Sequence, residues 1–351
     1  MQRALAADRI KSRALELGFD LCGVARAATH PKLARLRAWI AEGRHGEMQY
    51  LANSLDHRSD PFRVLPTLKS VICVATVYNT RQPISTSIDD PSRIAIGRYA
   101  WGDDYHGVIR TRLRTLVRWL ADEAGPGLEA FSCVDDGPVQ ERVFAEQAGL
   151  GWIGKNTCVI NPELGSWLFL GEIFCNLNLD ADAPALDRCG TCTRCIDACP
   201  TGAIIEPYAV DATRCVSYLT IETRGVLDEA QRPDVAQHLF GCDICQDVCP
   251  WNRDAAFSDD PAWQARPGLA FPHLTGLANM SDAEWRKKLI DSPLRRARLR
   301  RLRRTLAYAL GSSPDAEADD ALAAMAEEPS AADPIVAEAI QWARERRTCH
   351  L

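Results

Sequence analysis

Two runs of closely spaced cysteines are the strongest chemical signal in the sequence. The first run has two residues between each of its first three cysteines and three residues before the fourth, which precedes a proline. A second run repeats the end of that pattern, and one further cysteine lies between the runs. The eight positions are Cys189, Cys192, Cys195, Cys199, Cys215, Cys242, Cys245 and Cys249. Two-residue spacers let one loop bind three irons of a 4Fe–4S cube, so this pattern predicts single-electron transfer.

The spacing also predicts how the cysteines divide between two clusters. In two-cluster ferredoxins, the fourth cysteine of such a run binds the other cluster. The expected ligands are Cys189, Cys192, Cys195 and Cys249 for the first cluster, and Cys199, Cys215, Cys242 and Cys245 for the second. Two structural zinc sites are the main alternative, because zinc also binds four cysteines. A radical S-adenosylmethionine enzyme would need a Cys-x3-Cys-x2-Cys run, whose third cysteine is missing here.

The composition is that of a folded protein with two or three domains. The chain has 351 residues, of which 46% are hydrophobic and 25% charged, and its formal net charge is −6. No apolar run reaches the roughly 18 residues that span a bilayer, and the N-terminus lacks a secretory or twin-arginine pattern. We therefore expect a cytoplasmic protein without a membrane partner, whose 14 cysteines serve metal binding rather than disulfides.

Hydrophobic periodicity predicts the helices and strands that would position these residues. Over roughly the first 180 residues, mixed signals predict helices at 2–17, 106–124 and 139–148, and strands at 19–24, 70–77, 129–134, 157–160 and 166–174. The chain after about residue 256 is expected to be helical. Ser313-Pro314 and Asp333-Pro334 each place a capping residue before a proline, which predicts two helix starts.

Asp135 is the candidate catalytic carboxyl. It ends a predicted strand in an Asp-Asp-Gly-Pro turn, from which a carboxyl can act as a general acid. An alternative is that Asp135 and Asp136 only cap the helix that follows. His106 is interpreted as a helix-start residue.

A basic segment near the C-terminal end suggests a nucleic-acid partner. Between Leu294 and Arg304 the arginines are Arg295, Arg296, Arg298, Arg300, Arg301, Arg303 and Arg304. Leucines at three- and four-residue intervals form one apolar stripe, which leaves the other faces to the arginines. A phosphate backbone is the natural partner of such a helix. The alternative is a solvated helix paired with the acidic residues at 315–320.

Several motifs, taken in order, resemble the epoxyqueuosine reductase family over nearly the whole chain. Besides the cysteine runs they are RYAWGDDYH at 98–106, the segment from Val134-Asp135 to Glu141-Arg142, AGLGWIGKN at 148–156, GSW at 165–167, LGEI at 170–173 and CVSYLTIE at 215–222. The family usually has a small hydroxyl residue where this chain has Asp136. The charge of Asp136 would either favour the protonated form of Asp135 or face solvent without effect.

The resemblance implies an α+β fold with three parts. They are a nitroreductase-like, cobalamin-binding catalytic domain at 1–178, a ferredoxin-like domain with two 4Fe–4S clusters at 179–255, and a HEAT-like α-helical, tRNA-binding region at 256–351. It also implies that epoxyqueuosine at the wobble position of tRNA is reduced to queuosine, with Asp135 as the proton donor and cobalamin reduced through the clusters. Expected cobalamin contacts are Arg58, Tyr99, Asp135, Lys155, Asn156 and Ser217.

Partners and competing functions complete the set of expectations. We expect a monomer supplied by an external low-potential electron donor. A corrinoid reductive dehalogenase is one alternative function, and a ferredoxin-type electron-transfer protein is another. The basic C-terminal helix favours the tRNA enzyme over both.

Overall fold

A mixed set of helices and strands forms the first half of the chain. The computed structural model describes residues 6–348. The helices are α1 (Ala7–Glu16), α2 (Pro31–Ala41), α3 (Gln49–Asn53), α4 (Leu55–Ser59), α5 (Tyr105–Ala124) and α6 (Glu141–Gln147). The strands are β1 (Leu21–Arg26), β2 (Ser70–Val77), β3 (Ala95–Ile96), β4 (Ala130–Cys133), β5 (Trp152–Ile153), β6 (Val159–Ile160) and β7 (Leu168–Cys175). The predicted elements are confirmed to within a few residues, except that residues 2–5 of the first predicted helix lie outside the described residues.

A four-stranded antiparallel sheet organises this half. Its strand order is β1-β2-β7-β4. Helices α1 and α5 cover one face and α6 covers the other, so the two central strands are largely buried. The apolar runs of β2 and β7 follow from this burial on both faces.

Helix α5 shows how local sequence positions the candidate site. Its buried residues recur at helical spacing, which packs one stripe against the sheet. The Asp104 side chain caps its start by accepting the His106 N–H, and Gly125 ends it with a φ of 78°. Tyr105 and His106 are therefore held in the first turn, close to the end of β4.

The cysteine-rich region contains only short elements. They are α7 (Arg194–Asp197), β8 (Ile204–Glu206), β9 (Ala209–Val210), α8 (Val216–Ile221), β10 (His238–Phe240) and α9 (Ile244–Asp247). Strand β10 pairs in parallel with β3, which ties this region to the first half of the chain.

The C-terminal part is helical, as predicted. Its helices are α10 (Leu274–Ala278), α11 (Asp282–Lys288), α12 (Arg298–Ser312), α13 (Ala318–Glu327) and α14 (Pro334–Thr348). The helix start predicted at Asp333-Pro334 is confirmed, with Asp333 accepting the Ile335 N–H. The start predicted at Ser313-Pro314 is wrong. Side chains of Ser313 and Asp315 accept backbone N–H groups and hold a turn there, so α13 begins only at Ala318.

The hydrophobic core is divided into several clusters, one of which extends across these regions. Its largest cluster joins Ile96 and Trp101 with Leu219, Trp285 and Leu306, so residues from every part of the chain share it. Between residues 6 and 348, no helix combines the length and the apolar character needed to cross a bilayer.

Candidate active site

Asp135 lies in a strained turn that directs its side chain outward. The turn follows β4, and Asp135 adopts a φ of 57°, a left-handed conformation that is uncommon outside glycine. Its side chain is 64% exposed. Such outliers persist where the surrounding structure holds them, and they concentrate at functional sites.

Tyr105 and His106 contact the Asp135 carboxylate from α5. The Tyr105 hydroxyl donates a 2.6 Å hydrogen bond to Asp135 Oδ2, and His106 Nε2 lies 3.9 Å from the same oxygen. The Tyr105 ring stacks on Phe169 with centroids 4.5 Å apart, which fixes the position of its hydroxyl. Burial acts to lower the pKa of His106, but Asp104, hydrogen-bonded at 2.7 Å, raises it overall.

Two further carboxyls lie on the inner side of the turn. The Asp135 N–H donates to the carboxylate of Glu141, the first residue of α6. Glu172 on β7 is fully buried beside it. Burial, followed by the charge of Asp135, raises the pKa of Glu141 to about 7. Burial and then the charge of Glu141 raise the pKa of Glu172 well above its usual range.

Asp136 stabilises the turn. Its side chain accepts the Val134 N–H at 3.1 Å and forms an ion pair with Arg110. Its charge is therefore balanced by a guanidinium. Besides the two roles expected for Asp136, the structure therefore shows a third one, which is to hold the backbone of the turn.

Aromatic and charged side chains border the exposed side of Asp135. Burial and then the charges of Asp135 and Asp243 raise the pKa of Tyr99. The Tyr99 ring packs between Tyr105, at 6.2 Å, and Phe240, at 5.8 Å, so it lies between the Asp135 turn and the segment that carries Cys242. Arg58 holds the far side of the turn by donating to Val139 O at 2.7 Å.

The predicted ligands of the first cluster surround one cavity. Cys189, Cys192, Cys195 and Cys249 all line it, together with Lys155 and Trp251. The indole N–H of Trp152 donates to Cys189 Sγ at 3.4 Å. Burial and then the charges of Cys189 and Cys195 raise the pKa of Cys249 to about 11.

The predicted ligands of the second cluster form a separate set. Burial raises the pKa of Cys242, and the charges of Cys215 and Cys199 add to this effect. Burial likewise raises the pKa of Cys215, while hydrogen bonds from the backbone N–H groups of Ser217 and Tyr218 oppose it. Ser217 thus lies beside a cluster ligand.

Lys155 and Asn156 are placed with the clusters rather than beside Asp135. Lys155 Nζ donates to Gly190 O and Cys192 O at 2.7 and 2.9 Å. The Asn156 amide donates to Cys245 O at 3.3 Å. Both side chains are less than a tenth exposed. Their predicted cobalamin contact stays a prediction, and their observed contacts organise the two cysteine loops.

The comparisons with known proteins decide the family. The description "4Fe-4S double cluster binding domain" matches residues 188–252, and "Epoxyqueuosine reductase QueG, DUF1730" matches residues 58–136. An epoxyqueuosine reductase of Xanthomonas campestris is 42% identical over 341 residues, which covers 96% of this chain and 95% of that protein. The chain belongs to the epoxyqueuosine reductase family. It is therefore an oxidoreductase with two 4Fe–4S clusters.

Solved structures of epoxyqueuosine reductases share this fold. A crystal structure of one with an epoxyqueuosine-modified tRNA-Tyr stem loop has a TM-score of 0.86 and 31% identity, and the match covers 97% of this chain and 89% of that one. The enzyme from Bacillus subtilis, solved with the loop of its catalytic aspartate swung out of the active site, has a TM-score of 0.85 and 30% identity, with the same coverage.

The arginines predicted to bind nucleic acid divide into two groups. Arg301, Arg303 and Arg304 are buried, and their guanidiniums donate to backbone carbonyls, for example Arg304 to Leu219 O at 2.7 Å. The prediction is wrong for these three because a buried guanidinium with engaged donors cannot reach a phosphate. Arg295, Arg296 and Arg298 are exposed and Arg300 is partly exposed.

Sequence reasoning gave no role to Tyr50 or Glu172, and it predicted Arg296 as a nucleic-acid contact without placing it near Asp135. Arg296 pairs with Glu222 at 2.9 Å and lies over the Tyr50 ring at 5.4 Å. The pKa of Arg296 is raised chiefly by Glu222 and that of Tyr50 chiefly by burial, and the charge of Asp135 adds to both shifts. For an epoxyqueuosine reductase, an exposed aromatic ring beside an arginine is suited to contact a nucleotide. One signal was available for Glu172, which is a charged residue inside an otherwise apolar strand.

Proposed function

We propose that this chain reduces epoxyqueuosine in the anticodon of tRNA to queuosine, with Asp135 as the proton donor. The reaction consumes two electrons and two protons, opens the epoxide, leaves an alkene and releases its oxygen as water. The observation that carries the proposal is an exposed carboxyl in a strained turn, linked through Tyr99 to the loop of the second cluster. The family relationship and the relative solved with a modified tRNA stem loop support the choice of substrate.

Cobalamin is the cofactor that we propose for this site. Arg58, Tyr99 and Ser217 would hold it. Tyr99 and Ser217 belong to motifs of the family, and Ser217 lies beside Cys215. Arg58 lies beside the Asp135 turn, where it donates to Val139 O. Lys155 and Asn156 would act indirectly, by holding the cysteine loops through hydrogen bonds to their backbone carbonyls. When bound, cobalamin supplies a strongly reducing metal centre to the substrate.

Asp135 would hold and deliver the proton at its carboxyl oxygens. Tyr105 fixes the position of Oδ2 through the 2.6 Å hydrogen bond, and His106 lies close enough to exchange protons through a water. The exposed carboxyl can be reprotonated from solvent after each turnover. In the Bacillus subtilis relative, the corresponding loop was seen swung out, which supports a turn that can move for substrate exchange.

Electrons would enter at the first cluster and leave from the second. The loop that carries Cys189, Cys192 and Cys195 is largely exposed, so a low-potential donor can approach it. Cys215 and Cys242 lie next to buried residues, namely Val216, Gly241 and Asp243, so the second cluster lies in a more enclosed part of the chain. The order of burial therefore supports a path from the surface to the active site.

The tRNA would lie across the C-terminal region. Arg295, Arg296, Arg298 and Arg300 supply positive charge, and Arg296 brings it next to Asp135. We assign residues 1–178 to a nitroreductase-like catalytic domain, 179–255 to the ferredoxin-like domain and 256–351 to a HEAT-like tRNA-binding region. Phosphate contacts of this kind make binding strongly dependent on salt.

An anaerobic assay with epoxyqueuosine-containing tRNA tests the proposal. The purified protein, loaded with cobalamin and both clusters, should convert epoxyqueuosine to queuosine, as measured by nucleoside mass spectrometry. Asp135→Ala should keep the visible bands of both cofactors and lose conversion, whereas Glu163→Gln, an exposed carboxyl away from the turn, should behave as the wild type. Wild-type conversion by Asp135→Ala would rule out the proposed proton donor.

A further inference from the structure

A buried pair of carboxyls lies directly behind the Asp135 turn. Glu172 occupies the middle of β7, where it faces Cys133 on β4 and Cys73 on β2 across the sheet. Glu141 reaches the same point from the start of α6. One oxygen from each carboxyl and Cys133 Sγ all lie within 4.8 Å of one another. Glu141 is partly exposed as a residue, but its carboxyl group is enclosed by the protein.

Two enclosed carboxyls at this separation cannot both be ionised, because each charge opposes the other in a poorly solvated site. Neither forms an ion pair among the described residues, but the charges of Arg142 and Arg58 act on Glu141, so the one negative charge of the pair is placed on Glu141. Glu172 Oε1 has no hydrogen-bond donor near it and faces Glu141. A proton held by Glu172 and donated to Glu141 satisfies both groups.

The pair is linked to the catalytic turn by one hydrogen bond. The carboxylate of Glu141 accepts the Asp135 N–H. On the other side, the Asp136 side chain accepts the Val134 N–H and pairs with Arg110, so the left-handed conformation of Asp135 is fixed from two sides. An acceptor that carries negative charge makes the stronger bond to this N–H.

We propose that Glu141 and Glu172 share one proton, and that Glu141, by accepting the Asp135 N–H, positions the Asp135 carboxyl for proton delivery. The inference rests on the proposed role of Asp135. Neither glutamate lies on the exposed side of the turn, so both are positioning residues rather than catalytic ones. The same geometry couples the turn to pH, since ionisation of Glu141 strengthens the bond that holds it.

The surroundings limit which groups can contribute to this titration. The titratable and charged side chains that face the pair are Cys73, Cys133, Asp135, Arg58, Arg142 and Tyr105. Both thiols have a pKa raised well above the usual value, chiefly by burial. Arg58 and Arg142 direct their donors to Val139 O and Thr157 O. His106 also titrates near neutral pH, because Asp104 raises its pKa, but it lies on the exposed side of the turn. An ionisation that Glu141→Gln removes is therefore assigned to Glu141, and one that remains in this variant is assigned to His106.

Two substitutions of Glu141 in the cofactor-loaded enzyme separate its role as a hydrogen-bond acceptor from its charge. Glu141→Ala removes the acceptor, and we expect kcat to fall at least tenfold with KM for tRNA within twofold of the wild type. Glu141→Gln keeps an acceptor, and we expect it to recover most of kcat while the pH profile of kcat loses its ionisation near 7. Glu163→Gln is the matched control. Equal kcat in Glu141→Ala and the wild type would overturn the positioning role.

Infrared spectroscopy detects the shared proton as a protonated carboxyl band, independently of enzyme activity. At pH 8 exposed carboxyls are ionised, so a protonated carboxyl band that Glu172→Gln removes and Asp135→Ala retains would support the pair. Absence of a band that depends on Glu172 would overturn the shared proton. If Asp135→Ala keeps wild-type kcat while this band is present, the proposed function of Asp135 fails and the shared proton stands.

Discussion

Replacing Arg303 with leucine tests whether the arginines of α12 stabilise the fold or bind RNA. Arg303 is fully buried and donates to Ala278 O at 2.9 Å, to Met280 O at 2.6 Å and to Asp282 Oδ1 at 3.1 Å. Leucine fills part of the space but leaves all three acceptors without this donor. The side chains of Arg303 and Asp282 are only 1% and 3% exposed, so water does not replace the lost contacts.

The expected loss of stability is large. Removing one partner of a buried ion pair typically costs about 3–5 kcal/mol, because the remaining charge stays buried and uncompensated. We expect Arg303→Leu to lower the free energy of unfolding by that amount in urea titrations followed by circular dichroism under anaerobic conditions. Arg295→Leu, at an exposed position, should change it by less than about 0.5 kcal/mol and should weaken tRNA binding instead.

The pH dependence of the Arg303 variant gives a second measurement. Burial acts to raise the pKa of Asp282, but hydrogen bonds from Ser330 and Arg303 outweigh it and lower the pKa overall. The stability from this group is therefore present above its unfolded pKa and is lost as pH falls through the folded pKa. Arg303→Leu should move acid unfolding to higher pH. Unchanged unfolding together with lost tRNA binding would refute the assignment of Arg303 to the core.

Three further variants test other contacts. Trp152→Phe removes the hydrogen bond to Cys189 Sγ, and we expect a more negative reduction potential for the first cluster in a redox titration followed by EPR, because hydrogen bonds to the sulfurs raise it. Tyr105→Phe removes the 2.6 Å bond to Asp135, and we expect kcat to fall about tenfold, equivalent to roughly 1.4 kcal/mol, without a change in KM. Arg296→Ala should weaken tRNA binding and reduce the slope of log K against log salt by about one, whereas an unchanged slope would place Arg296 away from a phosphate.

Local spacing explains what the sequence predicted well. Cluster ligands are set by the distance between cysteines in one loop, and buried strands such as β2 are set by a continuous apolar run. Each of these signals is contained within a few consecutive residues of the chain. The double-cluster region, the sheet strands and α5 were therefore predictable with small errors at their ends, whereas the division of the cysteines between the clusters stays a prediction.

Contacts between distant segments explain what the sequence did not predict. An arginine that faces inward looks the same in sequence as one that faces solvent, and Arg304 is buried only because three backbone carbonyls from residues 219–225 surround it. The meeting of Glu141 with Glu172 depends on the register of β7 against β4. Neither the helical period nor the composition contains that information.

The core that runs through all three parts of the chain has a consequence for how the enzyme can be taken apart. Strand β10 pairs with β3 at residues 95–96, and Trp101 packs against Phe271 with ring centroids 5.3 Å apart. A cut at residue 178 would break both contacts, a cut at residue 255 would break the second, and either would expose apolar surface to water. The three parts of the chain therefore cannot be exchanged for equivalent parts of another protein without disrupting shared packing. The separation between the electron-carrying loops and the proton-bearing turn is set by shared packing rather than by a linker, so it cannot be adjusted by lengthening the chain between them.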